Sequence, residues 1–351
     1  MDRFRYSTAL IRNKPLKTID TLNPTASESW QQQLNHAFSQ VDALCHYLNI
    51  DMDSLPELQA NASFPVKVPR CFADCMEPGN PDDPLLKQVL PLQEENIAVA
   101  GFVSDPVGDL AAMAEAGLIH KYQGRALLIT TAACAIHCRY CFRRNFPYID
   151  NQITPQKRHR ALDYIAHHSE LEEIILSGGD PLLLSDNKLE QLLENLQKIP
   201  HIKRIRLHSR LPVVLPARIT PHLVQLLASG PQKTILVLHA NHPNELSAQV
   251  AVACQQLKSR NITLLNQSVL LKGVNDCADT LYALSERLFE CDILPYYLHQ
   301  LDPAQGTAHF AISDSKALSL YHQIQSRLPG YLVPKLVREI AGAAYKIPLM
   351  R

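Results

Sequence analysis

From Arg125 to Leu298 short apolar runs alternate with amphipathic stretches, and this alternation restricts the fold more than any other property of the chain. The runs are RALLITT (125–131), EEIILSGG (172–179), KRIRLHS (203–209), TILVLHA (234–240), ITLLNQSVLL (262–271) and DILPYYL (292–298). Between them stand TPQKRHRALDYIAHH, DNKLEQLLENLQKI, TPHLVQLLAS, NELSAQVAVACQQLKS and DTLYALSERLF, which read as helices. Strand–helix–strand units pair their strands in parallel through right-handed crossovers. Six βα units predict an α/β protein whose function sits at the C-terminal ends of the strands, where the βα loops gather. Periodicity alone leaves open whether the sheet closes.

The stretch up to about residue 115 reads differently. SESWQQQLNHAFSQVDALCHYL has helical periodicity with Ser27 as its N-cap, and the Pro-rich FPVKVPRCF and EPGNPDDPLL punctuate the chain beyond it. Cys71 and Cys75 would share one helix face there, but with no further ligand nearby they read as ordinary thiols. With 351 residues the chain can bury a large core. Lys plus Arg and Asp plus Glu each number 34, so no basic excess exists to attract nucleic acid. The opening MDRFRYSTALIRNKP lacks an apolar signal core and no run approaches a membrane span, so a cytoplasmic protein without a membrane partner is expected.

Cys134, Cys138 and Cys141 form Cys-x3-Cys-x2-Cys within CAIHCRYC, directly after the first apolar run. Three thiolates on one loop suit an iron–sulfur cubane, each holding one iron and leaving the fourth open. Zinc would ask for four ligands at pairwise spacings, although His137 lies between the cysteines. Nine cysteines, an odd number, argue against a disulfide framework; chance clustering of buried thiols is the remaining bland reading. After the second run comes SGGDP, where Gly178 and Gly179 let the backbone bend and approach a ligand, and Asp180 can accept from an ammonium. A ligand-free tight turn would look the same. Lys346 follows Ala341-Gly342-Ala343-Ala344, locally no more than a flexible tail with a solvated lysine.

The cysteine spacing resembles the signature of the radical S-adenosylmethionine (SAM) superfamily, whose open iron is chelated by SAM and whose electron cleaves the sulfonium to a 5′-deoxyadenosyl radical. That resemblance implies a partial (β/α)6 barrel with an N-terminal helical region and a short C-terminal tail closing the site. It also implies that SGGDP receives the SAM amino group, with His239 and Gln267, at the ends of the fourth and fifth runs, as further SAM contacts. SGGDPLLL, LPVVLPARIT, HANHPNEL, NQSVLLKGVND, LPYYLHQLDPAQGTAHF and VREIAGAAYK together resemble the lysine 2,3-aminomutase family, which also uses pyridoxal 5′-phosphate (PLP), over about residues 80–348. The expected organisation is a cap and connection at 1–115, the barrel at 116–335, and a segment at 336–351 that carries the PLP lysine.

The family resemblance implies that Lys346 forms the Schiff base with PLP, that Lys121 and Arg125 pair with its phosphate and that the Tyr122 ring supports the pyridine. Arg143, next to Arg144, corresponds to the receiver of the substrate carboxylate, for which a guanidinium gives paired hydrogen bonds. Asp302 and Glu339 correspond to the acids that bind a lysine ammonium; Glu339 replaces the family's aspartate, and Ala and Tyr345 replace part of its glycine run. Cys277 matches a zinc ligand of longer family members, but the extension that would supply its partners is missing after Lys346, so no structural zinc is expected. The short form, with VPKLVREI, resembles the EpmB subfamily, which makes (R)-β-lysine that a separate ligase attaches to elongation factor P. The implied reaction is a 1,2-amino migration on L-lysine driven by an electron donor that the sequence does not identify. Two rivals remain: an aminomutase for another amino acid such as glutamate, which should present basic or neutral groups at 302 and 339, and a non-catalytic iron–sulfur protein, which should give no 5′-deoxyadenosine.

Overall fold

The computed structural model describes residues 28–55, 57–58, 64–148 and 154–349. Its strands are β1 (Met113–Glu115), β2 (Leu118–Tyr122), β3 (Arg125–Thr131), β4 (Glu173–Gly178), β5 (Arg204–Ser209), β6 (Lys233–Leu238), β7 (Thr263–Leu270), β8 (Leu294–Gln300), β9 (Lys335–Arg338) and β10 (Ile347–Pro348). Helices α1 (Trp30–Asn35), α2 (Val41–Tyr47), α3 (Arg70–Ala73) and α4 (Pro84–Lys87) precede them. Then α5 (Pro155–His167), α6 (Asp186–Gln197), α7 (Leu211–Val214), α8 (Pro221–Ala228), α9 (Ala248–Lys258), α10 (Ala278–Glu290) and α11 (Asp314–Gln325) alternate with the strands.

All six apolar runs are strands, β3 to β8, and each pairs in parallel with the next. The helices between them bury apolar stripes, as α6 does with Leu189, Leu192, Leu193 and Leu196, and Thr154 caps α5 by accepting from the Lys157 amide at 3.2 Å. The sheet has ten strands in sequence order, and β10 does not return to pair with β1, so the barrel is partial.

The extra strands were not expected. Lys121 and Tyr122 lie in β2, which runs antiparallel to β3, rather than in a loose connection before it. A two-residue turn, Gln123-Gly124, joins them, with Gly124 at φ +78° where a side chain would be strained. At the other edge β9 extends the parallel set beside β8, and β10 folds back antiparallel on β9 with Ile347 opposite Arg338. The C-terminal segment is thus a hairpin on the sheet rather than a loose tail.

The expected cap at Ser27 lies outside the described residues. The first described helix is capped instead by Ser29, whose hydroxyl accepts from the Gln32 amide at 3.3 Å while Gln32 Oε1 accepts from the Ser29 amide at 2.8 Å. Helical structure breaks after Asn35 and resumes at Val41, because Phe38 leaves the helix to exchange backbone hydrogen bonds with Val68. Phe38, Leu44, Phe72 and Leu86 share one continuous core with Leu128, Leu176 and Leu207 of the barrel. Cys71 donates to the Val214 carbonyl at 3.0 Å and Cys75 to the Cys71 carbonyl at 3.4 Å, both packed against that core. No helix among the described residues is long and apolar enough to cross a membrane.

Candidate active site

A cavity of about 640 Å3 occupies the barrel, and every residue assigned from the sequence to the cluster, SAM, PLP or the substrate lines it. Parallel strands, with side chains alternating between faces, explain how residues so distant in sequence converge.

At the C-terminal end of β3 the cysteine loop packs directly on the turn after β4. Gly179 donates to the Thr131 carbonyl at 2.7 Å and Asp180 to the Ala133 carbonyl at 2.8 Å. A Cβ at Gly179 would stand 2.2 Å from the Ala133 oxygen, and one at Gly178, where φ is +121°, 2.5 Å from the Thr131 oxygen. The glycines therefore make room for the cysteine loop itself. Gly179→Ala should force that loop away and destabilise the protein by about 1–3 kcal/mol, read as a lower thermal midpoint and poor cluster reconstitution.

Asp180 differs from the expectation in a similar way. Its Oδ1 accepts from Ser209 Oγ at 2.7 Å and the Leu182 amide at 3.1 Å; Oδ2 accepts from the amides of Arg210 at 2.8 Å and Leu211 at 3.1 Å. The carboxylate is engaged by the protein, holding the β5–α7 turn, rather than standing free for an ammonium. Burial raises its pKa to about 6 despite those donors.

Cys134, Cys138 and Cys141 are free thiols on this wall. Burial and the neighbouring cysteines push Cys134 well above the usual thiol range, and burial with Cys138 takes Cys141 to about 11. An iron–sulfur cluster at these cysteines would draw off the thiol protons and bind the thiolates. Among the described residues no three His, Cys, Asp or Glu side chains converge on a single-ion site, whereas a cubane needs one sulfur for each iron rather than three on one ion. His137 turns away, its ring nitrogen 2.9 Å from the Pro65 carbonyl, so the zinc alternative has no fourth ligand there. Behind Cys138 stands Arg210, unforeseen from sequence: Nη1 donates to Cys138 Sγ at 2.7 Å, while Nη2 is held by Gln88 at 2.7 Å and buried Glu245 at 2.9 Å. Arg139 and Arg144, from the same loop, both pair with Glu95 and so tie the loop to the N-terminal segment.

A chain of alternating charge crosses the cavity. Lys346 Nζ pairs with Glu339, Lys121 Nζ with Glu339 at 3.0 Å and with Asp109 at 2.6 Å, and Arg143 Nε with Asp109 at 2.7 Å. Lys121 also donates to the Val107 carbonyl at 2.7 Å, so its ammonium is taken by oxygens of the protein and does not stand free for a phosphate beside Arg125. Asp109 is a second residue, after Arg210, that sequence reading missed; it lies in a loop without periodicity. Burial opposes ionisation of Glu339, but Lys346 and Lys121 outweigh it and hold the carboxyl at about 2. Asp302 has no such partner: its Oδ1 is buried and unpaired, and burial with nearby Glu339 raises its pKa to about 7. Arg143 Nη1 reaches Ser177 Oγ at 3.2 Å, leaving Nη2 unused by either contact.

Tyr122 packs under the Arg125 guanidinium, 4.4 Å from ring centroid to carbon. Gln267 Nε2 donates to His239 Nε2 at 2.8 Å, and burial lowers His239 to about 3, so both present neutral groups. His208 and His299 line the same wall and are held neutral by burial first and by nearby cations including Lys346.

A parallel βα barrel with a Cys-x3-Cys-x2-Cys loop closed over a glycine turn defines a radical SAM enzyme. Residues 128–283 match the Radical SAM superfamily. The chain is 49% identical over 333 residues to the L-lysine 2,3-aminomutase of Escherichia coli (strain K12), covering 94% of this chain and 97% of that protein. It is 48% identical to the L-lysine 2,3-aminomutase of Haemophilus influenzae over 320 residues (91% and 95%), and 35% identical to that of Clostridium subterminale over 323 residues (92% and 77%). Among solved structures it is similar to Streptococcus suis SuiB bound to S-adenosylmethionine, with a TM-score of 0.46 and 15% identity over 62% of this chain and 51% of that one. The chain belongs to the lysine 2,3-aminomutase family. It is an isomerase of the radical SAM class, which works with a 4Fe–4S cluster and SAM.

Proposed function

We propose that the protein moves the α-amino group of free L-lysine to the neighbouring carbon, giving β-lysine, with PLP held on Lys346. The observation that carries this reading is Asp302, whose Oδ1 is buried without a partner, in the same cavity as Glu339 and Lys346, an anionic wall suited to a substrate ammonium. Arg143, with Nη2 available and its other nitrogens held by Asp109 and Ser177, suits the substrate carboxylate. The two features together complement lysine; a glutamate side chain would meet Asp302 with like charge. PLP supplies an electron-accepting ring for amino transfer between adjacent carbons, and SAM at the cluster supplies the radical that removes hydrogen.

The chain's own groups then bind, orient and exclude water. Cys134, Cys138 and Cys141 would hold the cluster, and the SGG turn with His239 and Gln267 would face SAM. Glu339 Oε2 accepts from Lys346 Nζ whenever the amine is free, so the released charge stays paired. Ile175, Val269 and Leu301 make the remaining wall apolar and keep the radical from water. In this organisation the described residues between 28 and 115 cap the barrel that follows to 335, and the described segment 336–349 brings Lys346 to it.

The 49% identity to the Escherichia coli relative, against 35% to the Clostridium one, supports the EpmB-like reading. The product would be (R)-β-lysine for a separate ligase acting on elongation factor P in the cytoplasm, with a cellular reductant as electron donor.

The test is anaerobic incubation of the reconstituted protein with SAM, PLP, reductant and L-lysine. The expected product is (R)-β-lysine with no turnover of glutamate; recovery of unchanged lysine, or rearrangement of glutamate, would overturn the reading. A pH dependence accompanies it. Asp302 is raised, so it is mostly neutral below pH 7 and carboxylate above. An ammonium binds the carboxylate, so the apparent KM for lysine should fall as pH rises from 6 to 8, by up to about tenfold per unit below 7. Asp302→Asn should flatten that profile.

A further inference from the structure

The cavity continues past Lys346 towards the N-terminal ends of the strands, where it is lined by Arg125, Glu173, Arg204 and Arg206. On β5 and the residue after it, Arg204, Arg206, His208 and Arg210 all face inward, as the two-residue period of a strand requires. A rise of about 3.3 Å per residue makes this series a ruler with steps of about 6.6 Å along the barrel. Arg210 marks the cysteine level, where it touches Cys138, and His208 stands within the field of Lys346. Arg206 lies one step further down.

Arg206 is 8% exposed, with Nη2 2.6 Å from Glu173 Oε1 and its Nε buried without a partner. An unsatisfied buried donor is costly, and more so on a charged group, unless a ligand completes it. The surrounding charge specifies the ligand. Lys203 and Arg204 bind Glu172, and Arg204 and Arg206 bind Glu173. Within the cavity lining Arg125, stacked on Tyr122, Arg204 and Arg206 face Glu172 and Glu173, an excess of one positive charge, while Lys203 lies outside it on the surface. A phosphate monoester carries about −1.5 to −2 at pH 7. Lys121, by contrast, is already bound by Asp109 and Glu339.

We propose that Arg206, together with Arg125, receives the phosphate of PLP at the N-terminal end of the barrel, one layer below His208. This rests on the PLP-dependent reading above. Glu173 orients the guanidinium through Nη2 and leaves Nε to the phosphate.

The test compares PLP with pyridoxal, which lacks the phosphate, on the anaerobic, cluster-loaded protein, following the absorbance of the lysine-bound cofactor. Arg206→Gln should weaken PLP binding about 10- to 100-fold and change pyridoxal binding less than twofold. Arg206→Lys should recover part of the preference for PLP. Inorganic phosphate should compete with PLP in the wild type and lose that effect in Arg206→Gln. Equal weakening of PLP and pyridoxal would make Arg206 a structural partner of Glu173 and overturn the proposal, as would PLP binding unchanged in both variants. A wild type that takes up no PLP overturns the PLP-dependent reading itself and this proposal with it; a wild type that binds PLP while the variants fail to discriminate overturns Arg206 alone.

Discussion

Lys346→Ala is expected to abolish amino migration, by roughly four orders of magnitude or more, while the iron–sulfur absorbance of the protein is retained. Lys346 stands immediately before β10, whose pairing with β9 is through backbone groups that the substitution leaves intact. Glu339 would lose one cation but keep Lys121 at 3.0 Å, so its carboxylate does not become an unpaired buried charge. Folding should therefore survive with a loss of only about 1 kcal/mol. The spectroscopic readout is the absorbance band of lysine-bound PLP, present in wild type and missing in the variant. Unchanged absorbance would exclude Lys346 as the anchor, and a lost band with retained turnover would exclude PLP from the reaction.

Cys138→Ser is expected to have an effect of similar size by the opposite route. Removing one of three thiolates leaves an iron of the cubane without its protein ligand, so the cluster should fail to assemble and reductive cleavage of SAM should cease. Arg210 loses the sulfur it touches but remains bound by Gln88 and Glu245, so the buried charge stays paired and the barrel should hold. PLP uptake by Lys346, which sits on a separate element, should continue. The two variants thus form a cross: one keeps the cluster and loses PLP, the other keeps PLP and loses 5′-deoxyadenosine formation. Production of 5′-deoxyadenosine at the wild-type rate by Cys138→Ser would remove this cysteine from the cluster set.

Much of the barrel was legible because its strands are long, apolar and separated by well-formed helices. β9 and β10, with four and two residues, are too short to carry a period. β2 hid because LIHKY turns its polar Lys121 into the cavity, although Gln-Gly between two alternating stretches was an available hairpin signal. The first N-cap was also within reach, since Ser29 and Gln32 have the spacing of a capping box. Arg206 and Arg210 had a signal of their own: charges at every second position of a parallel strand, which is normally buried on both faces, must be turned inward for a reason.

By itself the sequence determined the parallel βα order, because apolar period and length are local properties. It also determined the three-cysteine loop, because thiol spacing is written directly in the chain. Only the tertiary structure decided how the charges are shared: Lys121 goes to Asp109 and Glu339, Asp180 to the β5–α7 turn, and Asp302 is left unpaired. Those assignments depend on distances between residues up to 218 positions apart, as between Lys121 and Glu339. In a buried cavity such distances fix which charge neutralises which, and no local pattern encodes them.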